Sequence, residues 1–101
     1  MSQGDDRSAI KAAEAVARRS YGKLVAILAA RTRDVAGAED ALSDAFASAL
    51  ADWPVHGVPR SPEAWLLATA RRKMIDAIRR KRVGAVASQH LRLMAEELEA
   101  T

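Results

Sequence analysis

The sequence predicts an all-α fold: a compact bundle of three main helices, at about residues 8–32, 35–52 and 62–82, with spacing that also allows a short C-terminal helix. Three observations support this. From Ser8 to Arg82 the apolar residues recur three and four apart, and no stretch alternates apolar with polar as a half-buried strand does. Alanine supplies 23 of the 101 residues, and it combines the best helix propensity with little volume, so a core rich in it requires closely approaching helices. The one dense cluster of helix breakers lies between Trp53 and Ser61 and separates two long periodic stretches. A chain this short makes one domain.

The first helix is expected to open at Ser8, a good N-cap residue, and to run to about Thr32. Its apolar stripe reads Ile10, Ala13, Ala17, Tyr21, Leu24 and Leu28, widened by Val25. Gly22 interrupts it at a cost of about 1 kcal/mol, for which close approach of a neighbouring helix is the expected compensation. Asp34 is the candidate cap of the second helix. There Leu42, Phe46, Ala49 and Trp53 form the apolar side, and Asp40 and Asp44 the opposite one. The loop Pro54–Arg60 holds two prolines and a glycine, which forbid a continuous helix. The third helix has the clearest start. Ser61 is its N-cap, Pro62 sits where a missing N–H costs nothing, and Glu63 complements the dipole. Ala64, Leu67, Ala68, Ile75 and Ile78 read as its buried side, and Gly84 as its stop. Beyond it, Leu91, Met94 and Leu98 keep helical spacing.

Composition excludes several function classes. Without cysteine there is no disulfide scaffold and no thiolate metal or redox site, which fits a reducing, cytoplasmic setting. No apolar run approaches the ~20 residues that span a bilayer, and the start MSQGDDRS lacks a signal pattern. His56 and His90 have no neighbouring ligand pattern, and neither a G-x-x-x-x-G-K nor a G-x-G-x-x-G string occurs. The expectation is a binder with no catalytic residue, metal or cofactor.

The net charge of +3 is unevenly placed: residues 7–33 carry +6, residues 34–63 carry −5, and residues 64–82 carry +6. Such segregation points to separate surfaces for separate partners. Arg71, Arg72, Lys73, Arg79, Arg80, Lys81 and Arg82 form a dense basic field suited to phosphate, with Asp76 able to pair along the helix. The loop with His56 and Arg60, followed by a helix start and Trp65 one turn in, has the parts to hold an unstacked base. Trp65 fits a core position equally well, whereas Trp53 reads as core. Glu39, Asp40 and Asp44 make an acidic face that suits a basic protein partner.

In this order, the strings YGKLVAILAARTRD, AEDALSDAFASALADW and SPEAWLLATARRKMIDAIRRKR resemble region two of bacterial sigma factors, in particular the extracytoplasmic-function (group four) class. The resemblance covers roughly residues 18–82. Residues 1–17 then read as the N-terminal part of the first helix and residues 83–101 as a linker-like segment. The family's second DNA-binding domain has no counterpart in these residues, so the chain reads as region two alone or as an unusually short relative. The resemblance implies that Glu39, Asp40, Ser43 and Asp44 dock on the clamp helices of the RNA polymerase β′ subunit. It implies that His56, Arg60, Trp65, Thr69, Arg72, Lys73, Arg79 and Arg80 engage the non-template strand of the promoter −10 element. An anti-sigma factor is a further partner of this family, and no membrane contact is implied. Ser43 stands where members often carry glutamine. Arg72 stands where many carry asparagine, exchanging a base-reading amide for a cation. The competing reading is a non-enzymatic interaction module whose basic helix binds an acidic protein.

Overall fold

Three helices follow one another along the chain: α1 (Gln3–Thr32), α2 (Val35–His56) and α3 (Pro62–Ala100). The computed structural model describes residues 3–100, with side chains from Asp5 onward, and holds no strand among them. Met1, Ser2 and Thr101, the outermost positions of the expected segments 1–17 and 83–101, lie outside the described residues. The three-helix all-α architecture is the one the sequence predicts. Its boundaries and buried faces differ in ways that matter for the site.

Helix α1 starts five residues before Ser8, with Asp5 and Asp6 in its first turn where carboxylates favour the positive end of the dipole. Its buried row is Ala9, Ala13, Val16, Ser20, Leu24 and Leu28. Ile10, Ala17 and Tyr21 are exposed, so the stripe is rotated from the expected one. Nothing lies within 4 Å of where a Cβ on Gly22 would stand, so no neighbouring helix offsets that glycine. The helix closes with the Arg33 N–H donating to the Ala29 carbonyl at 2.7 Å, and Arg33 adopts a left-handed φ of 55°. One residue later Asp34 caps α2, its Oδ1 accepting from the Gly37 N–H at 2.9 Å. A Cβ at Gly37 would stand 2.2 Å from Asp34 Oδ2, so only glycine leaves room for this cap.

Helix α2 is the central one, packed against both α1 and α3. Ala38, Ala41, Leu42, Ala45, Ala49 and Trp53 are its buried residues. It continues through Pro54 to His56, four residues past the expected end at about 52. The proline removes only one donor, and the Gly57 N–H closes the final turn on the Trp53 carbonyl at 2.8 Å. Gly57 has a φ of 92°, a value open to glycine at little cost. His56 therefore sits on the helix end and not in the loop.

Helix α3 opens on Ser61, whose Oγ accepts from the Ala64 N–H at 3.4 Å. Glu63 does more than complement the dipole, because its Oε1 accepts a hydrogen bond from the buried Ser20 hydroxyl and ties α3 to α1. The buried face of α3 is Leu66, Thr69, Ala70 and Met74. The expected side is wrong: Ala64, Ala68, Ile75 and Ile78 are exposed and Leu67 is half-buried. Nor does the helix stop at Gly84. It runs on to Ala100 as one element, so the expected C-terminal helix is its continuation. Everything from Arg79 to Ala100 is exposed. This extension explains a radius of gyration of 19.1 Å, against about 13 Å for a compact chain of this size.

Half of the 16 buried hydrophobic residues are alanine, and the largest fully buried side chains are Trp53, Leu42 and Leu66. Trp53 and Trp65 meet edge to face with ring centroids 5.4 Å apart. The core is thus a thin alanine seam with one large indole at its end.

Candidate functional site

The helical period sets Asp40, Asp44, Ser48, Asp52 and His56 four apart on one flank of α2. Packing turns this flank toward α3. A furrow results, bounded by α2 on one side and by the first half of α3 on the other.

Its upper end is a groove of about 340 Å³ lined by Ser48, Asp52, Trp65, Thr69, Arg72, Lys73 and Asp76. That lies at the small end of ligand-pocket sizes, about 300–1,000 Å³. Trp65 is half-buried, its ring braced by Trp53 beneath. Thr69 is buried, and its Oγ1 accepts from Arg72 Nη2 at 3.3 Å, so it steadies the guanidinium and presents little surface of its own. His56 Nδ1 lies 2.9 Å from Asp52 Oδ1 while the ring remains mostly exposed, fixing the direction of that carboxylate. Asp76 forms no ion pair with Arg72, Arg79 or Arg80 among the described residues. It faces the groove instead. Carboxylates and hydroxyls that accept hydrogen bonds thus stand beside cations and an aromatic wall. Such a set suits the donor-rich edge of a nucleobase, with phosphate left to cations outside the groove.

The lower end is a cleft of about 300 Å³ lined by Thr32, Asp34, Gly37, Asp40, Asp44, Lys73, Met74, Arg80 and Lys81, among others. Asp40 and Asp44 therefore face the basic helix. The expectation of wholly separate acidic and basic surfaces is corrected here: the two line one furrow, and Lys73 belongs to both of its ends. Glu39 and Ser43 lie on the other flank of α2 and are exposed. Arg79 is exposed on α3 and lines neither end, and Arg60 is exposed in the loop.

Of the eight residues expected to meet nucleic acid, Trp65, Thr69, Arg72 and Lys73 are brought together in the groove. His56 reaches it through Asp52. Sequence reasoning missed Ser48 and Asp52, although the unbroken four-residue spacing from Asp40 to His56 was the signal for them. Among the described residues no helix is long and apolar enough to cross a membrane, and no group of three or more His, Asp or Glu is placed to hold a metal.

The family model described as sigma-70 region 2 matches residues 16–83. An uncharacterized protein of Rhizobium meliloti (strain 1021) is 46% identical over 44 residues, which make up 44% of this chain and 10% of that protein. The matched stretch is thus a small part of a much longer relative. No solved structure matches.

Proposed function

Since this chain belongs to the sigma-70 region 2 family, we propose that it recognises a promoter −10 element and binds core RNA polymerase, in the manner of an extracytoplasmic-function (group four) sigma factor, without catalysing a reaction. The observation that carries this reading is the groove between α2 and α3, where Trp65, Arg72 and Lys73 converge with the acceptors Ser48, Asp52 and Asp76. A non-template base extruded from the duplex stacks on Trp65 and presents its edge to these acceptors. Capture of the unstacked base offsets an unpairing cost of a few kcal/mol. Arg79 and Arg80, with Arg60 in the loop and His56 at the end of α2, hold the flanking phosphates. Residues 18–82 form the working domain on this reading, and residues 83–101 lead away from it.

The polymerase contact is assigned to the clamp helices of the β′ subunit, with Glu39, Asp40, Ser43 and Asp44 on the α2 side. Because Asp40 and Asp44 border the basic helix, a partner docked there lies directly beside the bound strand. Simultaneous replacement of Asp40 and Asp44 by asparagine is expected to lower capture of the isolated β′ clamp by about tenfold, since charge pairs at a rim mainly govern encounter and orientation. Unchanged capture would favour the acidic-partner module instead.

The DNA assignment is tested by anisotropy of a labelled single-stranded −10-like oligonucleotide at several salt concentrations. Arg72→Gln with Arg79→Gln is expected to weaken binding. It also flattens the slope of log K against log salt by about 0.7 for each phosphate that is no longer neutralised. An unaltered slope would refute phosphate binding by α3.

A further inference from the structure

The last 22 residues of α3 are all exposed, yet they are patterned. Projected at 100° per residue, Val83, Val86, Leu91, Leu93, Met94 and Leu98 fall within one arc of about 160°, with His90 and Glu97 its polar members. Ser88, Gln89, Arg92, Glu96 and Glu99 occupy the opposite arc. The apolar side chains are between 48% and 76% exposed. Monomeric proteins seldom leave a continuous apolar face of this length uncovered.

Charge along this segment is polarised. Arg79, Arg80, Lys81 and Arg82 stand at its start and Glu96, Glu97 and Glu99 at its end. A helix of reversed direction with the same sequence complements both the apolar arc and the polarity of charge. Its apolar arc covers this one, its basic start meets this acidic end, and the two dipoles oppose. A parallel copy would set arginine against arginine and glutamate against glutamate.

We propose that a second copy of this chain covers the face, the two α3 extensions lying antiparallel with a two-fold axis near His90 and Leu91. In that register Val83 of each copy lies beside Leu98 of the other, and the basic residues that precede Val83 stand at the same level as the acidic end of the partner. The interface is isologous and closes at two copies. Spanning about 27 Å from position 82 to position 99, it is smaller than a standard stable interface, so pairing depends on concentration.

The chain contains no cysteine, which makes the geometry directly readable. Sedimentation equilibrium of the 101-residue chain is expected to show a mass rising from 10.9 kDa toward twice that value with concentration. Leu91→Glu with Met94→Glu lowers the association constant about tenfold or more, because the new carboxylates would be buried without partners. These residues are outside the core, so the tryptophan fluorescence of the domain stays unchanged and separates lost pairing from lost folding. In the second arm, Val83→Cys and Leu98→Cys chains are mixed and oxidised. Antiparallel pairing gives the mixed disulfide in excess over either homodimer. A chain that stays at 10.9 kDa to about 500 μM, where even weak pairing with a sub-millimolar Kd registers, would overturn the proposal. So would a preference for homodimeric disulfides, or association that survives the double glutamate variant.

Discussion

Trp53→Ala strongly destabilises the domain. The indole is 1% exposed and is the largest of the fully buried side chains, in a core whose other members are half alanine. Alanine neighbours cannot swing inward to fill the space it leaves, so the cavity persists. Truncation of a buried aromatic costs about 3–5 kcal/mol. Small domains hold roughly 5–15 kcal/mol in total, and thin cores sit at the low end. The expected fall in melting temperature is roughly 15–30 °C, followed by the fluorescence of the remaining Trp65. Trp53→Phe supplies the contrast. Trp53 Nε1 is buried without a hydrogen-bond partner, an unmet donor that costs about 1–3 kcal/mol, and phenylalanine removes it while keeping most of the ring. The phenylalanine variant is therefore much closer to the parent than the alanine variant. Equal loss in both would contradict this account of the core.

Trp65→Ala gives the largest expected loss of single-stranded DNA binding. Base stacking on an aromatic contributes about 1–3 kcal/mol, a factor of roughly 5 to 150 in Kd. The ring is positioned for this by its edge-to-face contact with Trp53 at 5.4 Å and by the groove walls of Ser48, Asp52 and Arg72. Because that contact also contributes to stability, Trp65→Leu serves as the second variant. It keeps apolar bulk against Trp53 but has no π-face. Both variants are expected to lose affinity, with leucine close to the parent in melting temperature, whereas the salt slope stays unchanged since no cation is removed. Full affinity in the leucine variant would make Trp65 a packing residue only.

The sites of these two changes illustrate how far the sequence alone can be read. Trp53 is legible as core because it ends an unbroken apolar row through Leu42, Phe46 and Ala49. Trp65 is ambiguous, since one turn into a helix it fits packing and stacking alike. Its half-buried position, one edge on Trp53 and one in the groove, comes from the crossing of α2 and α3. The helix faces that the sequence misplaces are those where alanine and isoleucine alternate as candidates. On α3, Ile75 and Ile78 outweigh Thr69 and Ala70 in hydrophobicity, yet Thr69 and Ala70 are buried. The same buried face holds Leu66 and Met74, so the way α3 lies against α1 and α2, and not the hydrophobicity of single residues, sets which side is covered.

Local chemistry determined the rest. Asp34 and Gly37, Ser61 and Pro62, and the alanine content specified where helices α2 and α3 begin and that the fold is all-α. Gly57 and Pro59 specified the turn between them, whereas Pro54 lies inside α2. Segregated charge and three ordered strings pointed to the family whose model spans residues 16–83. None of this could place one helix flank against another. That Asp40, Asp44, Ser48 and Asp52 face Lys73, Arg72 and Arg80 across a furrow depends on long-range packing, which no local propensity encodes. The same holds for Gly84: a single glycine costs a helix only about 1 kcal/mol, so whether α3 stops or runs on is decided by the whole segment around it. Sequence determined which elements form, and tertiary packing decided which of their faces meet.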